Sequence, residues 1–362
     1  MSQLGLGMAS DDATTGPGPR RRSSRAPLAI ALLAIAAVVL GGFLGIRALT
    51  GGTSDFTGDG TGSVTVVVAK GDTLSKIGQT LAEAGVVATE GAFVDAAAAE
   101  PKSSGIAPGT YELRSGMSGA AAVALMLDPA ARQVSKLVVP EGWRMDRTLA
   151  AAAKATGLKL DALKASAAKA TSLGLPDYAG GNPEGFLFPA TYEFEPKISP
   201  DAVVEAMLTR FGQASTDLEL ESSAAAAGLT PLEVLTVASI IEVEVAPADY
   251  AQAARVLYNR LDKGMRLQLD STVNYALGTS DLKLSAQQLA TDSPYNTYRV
   301  KGLPPGPVGS PGEAAIQAAL APADGPWMYW VTTDPATRTT EFATSYADFL
   351  ALKKKFQANA GG

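Results

Sequence analysis

Residues 230–246 read TPLEVLTVASIIEVEVA, and the rest of the chain is placed around this stretch. Thr230, Pro231 and Glu233 form a helix start: a hydroxyl cap, Pro at the first helical position, and Glu in the capping-box position. Pro247 ends the helix, because the residue before a Pro is pushed out of the α region. Advancing about 100° per residue from Pro231 puts Glu233 near 200° and Glu244 near 220°. Glu242 falls near 20°, among Leu235, Ala238 and Val245, with Ser239 at about 80°. One carboxylate therefore sits in the apolar stripe while its two neighbours face away. Burial disfavours a charged carboxylate, so Glu242 is expected to keep its proton to a higher pH than usual, as a general acid near neutrality requires. The same spacing also fits a core Glu satisfied by an Arg or Tyr.

Composition narrows the chemistry. The 362 residues are 46% hydrophobic and 18% charged, which suits two or three folded domains with a sizeable core. The chain contains no His and no Cys. That excludes Ser-His-Asp mechanisms, imidazole bases, thiolate nucleophiles, disulfides and nearly all zinc sites, leaving carboxylates, Lys and Tyr for proton transfer. No metal or cofactor is expected. Thirty Lys and Arg against 36 Asp and Glu give a net charge of −6, which argues against a nucleic-acid partner.

Two segments after the helix are rich in polar and aromatic side chains. MRLQLDSTVNY (265–275) and SPYNTYR (293–299) bring together Gln268, Asp270, Asn274, Tyr275, Tyr295, Asn296 and Tyr298. Amides and carboxylates hydrogen-bond hydroxyl and acetamido groups, and aromatic rings cover the C–H faces of sugars. Asp, Asn and Pro also punctuate ordinary turns. Beside a buried Glu in a His-free chain, these residues point to a carbohydrate-sized polar cleft.

Upstream, residues 26–46 are an uncharged run bounded by Arg25 and Arg47. At ~1.5 Å per residue it matches a ~30 Å hydrocarbon layer. Arg20, Arg21, Arg22 and Arg25 precede it, so the positive-inside rule places residues 1–25 in the cytoplasm and the rest outside the cell membrane. The run exceeds a signal-peptide core and lacks an A-x-A exit, so it is read as a retained transmembrane helix. A Gly/Ser/Thr-rich linker is expected over 47–63. Residues 64–132 then read as strand, two helices and strand, with Asp72 capping the first helix and GTYEL (109–113) as the returning strand. Residues 133–357 read as a mixed, helix-rich domain. S-x-x-E/Q patterns at Ser285–Gln288 and Ser310–Glu313 start two of its helices, and Trp327–Thr333 with Thr339–Thr344 form a hairpin. The fold class is α+β.

Several of these segments together resemble one family. ASIIE (238–242), NRLDKGMRLQLDSTVNY (259–275), SPYNTY (293–298) and GLPPGPV (302–308), preceded in order by PEGW (140–143) and EGFLFPATYEF (184–194), are similar to the endolytic murein transglycosylase, or YceG-like, family. The resemblance runs from about residue 64 to 356, plus the anchor. It implies a LysM-like first unit, peptidoglycan glycan strands as substrate, and cleavage with formation of a 1,6-anhydro ring. It also implies that the Glu closing ASIIE, Glu242, is the catalytic acid and then base, and that peptidoglycan synthases are partners. One departure is at Glu341, before Phe342, where members often carry His. Two other readings remain open on the residues: a hydrolase pairing Glu242 with Asp270 or Glu244, and a non-catalytic wall-binding scaffold.

Overall fold

Local capping signals and β-branched runs set most element starts, but not all of them. The computed structural model describes residues 54–334 and 336–359. The expected tail, transmembrane run and first part of the linker lie outside these residues. Among the described residues no single helix is long and apolar enough to cross a membrane. In order, the elements are β1 (Asp59–Val68), α1 (Leu74–Glu83), α2 (Glu90–Ala99), β2 (Gly109–Met117), α3 (Gly119–Met126), β3 (Ser135–Val139), α4 (Met145–Thr156), α5 (Leu160–Ala167) and β4 (Ala190–Phe194). There follow α6 (Pro200–Asp217), α7 (Leu220–Ala226), α8 (Pro231–Glu244), α9 (Tyr250–Asp262), α10 (Asp270–Leu277), α11 (Ala286–Leu289), α12 (Glu313–Leu320), β5 (Tyr329–Asp334), β6 (Thr339–Ala343) and α13 (Tyr346–Asn359). Among the described residues the strands pair into three two-stranded sheets, β1–β2, β3–β4 and β5–β6.

The contacts divide the described residues into two units, one holding 54–64, 72–105 and 113–125, the other holding 65–71, 106–112, 126–334 and 336–359. In the first, α1 packs on α2, burying Ile77, Leu81, Phe93 and Ala97. Two expectations shift here. The cap of α1 is Thr73, whose hydroxyl accepts from Lys76 N at 3.2 Å, and not Asp72. Strand β1 begins at Asp59, so residues 59–63 of the expected linker are strand. Before it, Asp55 already accepts from Gly119 N with both carboxylate oxygens at 3.1 Å. Glycines at 58, 60 and 62 suggested a loose chain, but their left-handed φ values are bends at the start of a paired strand.

In the second unit, β3 and β4 pair antiparallel from Ser135↔Phe194 to Val139↔Ala190, and α4 packs on β3. The core centres on α8, whose residues Val234 to Ile241 are all buried. Neighbours α7, α9, α10 and α12 surround it. The expected cap is present: Thr230 Oγ1 accepts from Glu233 N at 3.2 Å, and Glu233 accepts from Thr230 N at 2.8 Å. Ser285 and Gln288 form the same reciprocal pair ahead of α11. Ser310 does not cap α12. Its backbone instead exchanges hydrogen bonds with Gly142 N at 2.7 Å and Trp143 O at 2.8 Å, and Gly312 takes the cap position. The C-terminal hairpin forms as expected, with an irregularity between Thr332 and Asp334.

Candidate functional site

Two hydrogen-bonded ties and one close approach hold the motif segments together beside α8. Ser239 Oγ accepts from Val308 N at 3.0 Å, joining ASIIE to GLPPGPV. The exchange between Gly142, Trp143 and Ser310 joins PEGW to the same loop. Gly185 has φ +89°, and a Cβ there would lie 2.5 Å from Pro307, so only Gly lets these segments approach so closely.

Within this frame the two carboxylates at the end of α8 have different surroundings. Glu242 is half-buried; its Oε1 accepts from the Tyr250 hydroxyl at 2.6 Å and its Oε2 from Gly312 N at 3.0 Å. The second bond places an acceptor oxygen at the start of α12, where a backbone N–H has no partner within the helix. Glu242 thus caps α12 across 70 residues of sequence, in the position expected of Ser310. Glu244, which the helical projection turns away from Glu242, is not left to bulk solvent. It is half-buried at the last position of α8, and its Oε1 accepts from Ser271 N at 3.4 Å. The protein around it pushes its pKa up, a rise reinforced by the charge of Asp270 and opposed by the bonds from Ser271. The projection could not rank the two carboxylates by burial, because α8 is surrounded and leaves no wet face for a period to reveal.

Glu244 and Asp270 border two cavities, of about 450 and 430 Å³. The first is also walled by Trp143, Arg144, Arg147 and Ser271, with the Arg147 guanidinium 4.1 Å from the Trp143 ring centre. The second begins at Gln268 and Tyr298. Asp270 opens α10 and accepts from the Tyr298 hydroxyl at 2.6 Å. Gln268 is exposed, and its backbone takes a left-handed turn at φ +55°. Gln268, Asp270 and Tyr298 therefore do meet at a cleft.

The other expected binding residues are placed differently. Asn274 touches the first cavity, but its amide bonds to Asp281 O (2.9 Å), Thr279 Oγ1 (2.7 Å) and Asp281 N (3.0 Å), fixing the loop after α10. Asn296 is fully buried, donating to Leu289 O and Thr291 O and accepting from Tyr298 N. Both are turn-builders, because short amides satisfy loop backbone that has no sheet or helix partner. Tyr275 and Tyr295 pair with ring centres 4.7 Å apart, and their hydroxyls bond to each other. The Tyr275 hydroxyl also bonds to Glu184, a residue within EGFLFPATYEF whose role the sequence did not reveal. Glu184 is 4% exposed. It accepts from Met145 N at 3.0 Å, and burial pushes its pKa up to about 7. It therefore steadies the first turn of α4, which follows the cleft residues Trp143 and Arg144. Among the described residues no group of three or more acidic side chains is placed to hold a metal ion.

Known proteins resemble this chain over most of its length. The pattern of the YceG-like family matches residues 66–355. An endolytic murein transglycosylase of Bacillus subtilis is 30% identical over 290 residues, which are 75% of this chain and 79% of the relative. One from Streptococcus pneumoniae is 29% identical over 334 residues, 83% of this chain but 60% of the relative. Among solved structures, a YceG-like protein of Listeria monocytogenes superposes with a TM-score of 0.55 at 30% identity, covering 80% of this chain and 99% of that one. Extended over most of its length by one family pattern, the chain belongs to the YceG-like family.

Proposed function

We propose that this chain is a membrane-anchored endolytic peptidoglycan transglycosylase, cutting the bond between N-acetylmuramic acid and N-acetylglucosamine within nascent strands. The names of its relatives support the reaction class. The observation that carries the site is Glu244, a carboxyl with a raised pKa that borders both cavities, as a proton donor to a bound glycan requires. The acid is thereby assigned to Glu244 and not to Glu242, whose carboxylate is occupied by Tyr250 and Gly312.

Glu244 gives its proton to the glycosidic oxygen as the C1–O bond breaks. The carboxylate so formed takes the proton of the muramic C6 hydroxyl while that oxygen attacks C1, closing the 1,6-anhydro ring. No water is consumed, and one carboxylate suffices where an ordinary glycosidase uses two. The substrate's acetamido group and the negative charge of Asp270 stabilise the cationic C1 meanwhile. Hydrolysis is the competing reading, because Asp270 borders the same divide and has the chemistry to activate water. Mass analysis of the products in oxygen-labelled water separates them: anhydro ends without label support the lyase, and labelled reducing ends overturn it.

Three further parts belong to the proposal. The apolar run 26–46 anchors the chain with its N-terminus in the cytoplasm, supported by its length and flanking arginines. The strand–helix–helix–strand unit is LysM-like and holds glycan, supported by its element order. Acting beside peptidoglycan synthases, the enzyme ends strand elongation, a role that an endolytic cut close to the membrane serves.

A further inference from the structure

The second cavity leads from Glu244 and Asp270 to the C-terminal hairpin and α13. α13 packs on β5 and β6, yet none of its residues is buried. Its aromatic side chains gather at the cavity instead of entering the core. Tyr329 of β5 and Phe349 of α13 are stacked, with centres 5.0 Å apart and planes 27° from parallel. Tyr346 closes the group at 5.8 Å from Phe349 and 6.0 Å from Tyr329, and is 60% exposed. The platform is braced from below by Arg260. Its guanidinium lies 5.0 Å from the Tyr329 ring centre and donates to Met328 O at 2.7 Å and Leu267 O at 2.6 Å. Those bonds tie the hairpin to the strand of chain that carries Gln268 and Asp270. The platform and the proton donor are therefore walls of one cavity.

Preorganised aromatic rings, Tyr346 exposed and Tyr329 and Phe349 half-buried, beside acceptors and donors match a ligand with an apolar face and a polar edge. A pyranose ring has both: axial C–H bonds on its faces, hydroxyl and acetamido groups on its rim. Resting on the transglycosylase reading, we propose that Tyr346, Phe349 and Tyr329 form a stacking subsite for acetamido-sugar units of the strand, on the hairpin side of the scissile bond. The C-terminal hairpin and helix then hold the substrate and do not merely close the fold. The strand continues from this platform past Glu244 into the cavity walled by Trp143 and Arg147, so sugars lie on both sides of the cut, as internal cleavage requires.

Binding is measured on the full chain in detergent micelles, with Glu244→Gln to prevent cutting and peptide-free glycan strands as the probe. Adding Tyr346→Ala should raise Kd about three- to tenfold, the size of one aromatic stacking contact. Adding Leu350→Ala, an exposed apolar loss on the same helix away from the cavity lining, should leave Kd unchanged. An unchanged Kd for Tyr346→Ala, or equal losses for both variants, overturns the subsite. The parent reading is judged separately, by anhydro-ended products from the chain with Glu244 intact. Anhydro products with an unmoved Kd leave the enzyme standing and remove the subsite. A moved Kd without such products does the reverse.

Discussion

Glu244→Gln keeps the shape of the side chain and removes the proton it can give, so glycan cleavage should fall by at least ~10²-fold. Glu242→Gln should spare most of the rate and act on stability. A carboxylate receives hydrogens from both Tyr250 and Gly312, and an amide must turn its NH₂ toward one of them. The mismatch costs about 1–3 kcal/mol in urea unfolding. Equal losses of activity in folded protein would return the catalytic role to Glu242. Glu184 gives a third test, through pH. Burial holds its pKa at about 7 against an ordinary 4.5. Its contribution is fully present below pH 4.5, where native and unfolded chains both carry the proton. As pH rises from 4.5 to 7 the unfolded chain releases that proton first, so the native state loses stability, by about 3 kcal/mol in all. Glu184→Gln keeps the shape and an acceptor oxygen for Met145 N without titrating. The difference between variant and parent unfolding free energies should therefore grow in the variant's favour from pH 4.5 to 8. A constant difference would show that the carboxyl titrates alike in the native and unfolded chains.

Ser239 shows how elements are joined. Its hydroxyl donates to Thr236 O at 2.8 Å within α8 and accepts from Val308 N, so α8 and the GLPPGPV loop share one side chain. Ser239→Ala leaves a buried N–H without a partner, costing about 1–3 kcal/mol in urea unfolding. It should also lower cleavage, because that loop leads on to Ser310, the partner of the Trp143 wall. Loss of stability without loss of rate would limit the tie to packing. The same helix marks what the sequence makes legible. Its start was readable because the capping box is closed by Thr230 and Glu233 alone, and the Ser285–Gln288 box was readable for the same reason. The start of α12 was not, since its capping oxygen comes from Glu242, far off in sequence. The burial of Glu244 was hidden too: periodicity reports a face only when one side of a helix meets water. Asn274 and Asn296 shared their segments with true cleft residues, and composition cannot tell an amide aimed at a ligand from one spent on a turn. Gln268, Asp270 and Tyr298 do meet at the cleft, where the polar segments placed them.

At the scale of the whole molecule, the proposed anchoring makes the length of the tether a variable of function. The sequence suggested a 17-residue tether over 47–63, about 20–25 Å in root-mean-square span and ~60 Å at full reach. The structure shortens it, because Asp55 is already bonded to Gly119 and β1 starts at Asp59. Residues 47–54 then reach at most ~30 Å. Under the proposed anchoring by 26–46, the short tether keeps the folded chain next to the membrane, where the proposed synthase partners would release new strands. Confinement raises the local concentration of nascent glycan over mature wall without any change in the cleft. It also limits where along a growing strand the cut can fall, since only sugar units within reach of the tethered chain can be cut. Inserting Gly/Ser repeats between residues 53 and 54, to about three times the native tether, should lengthen and broaden the strands found in cells. The rate of the purified chain on soluble glycan should stay the same. If strand-length distributions are identical for native and lengthened tethers, the anchor only brings the enzyme to the membrane, and strand length is set by the synthases.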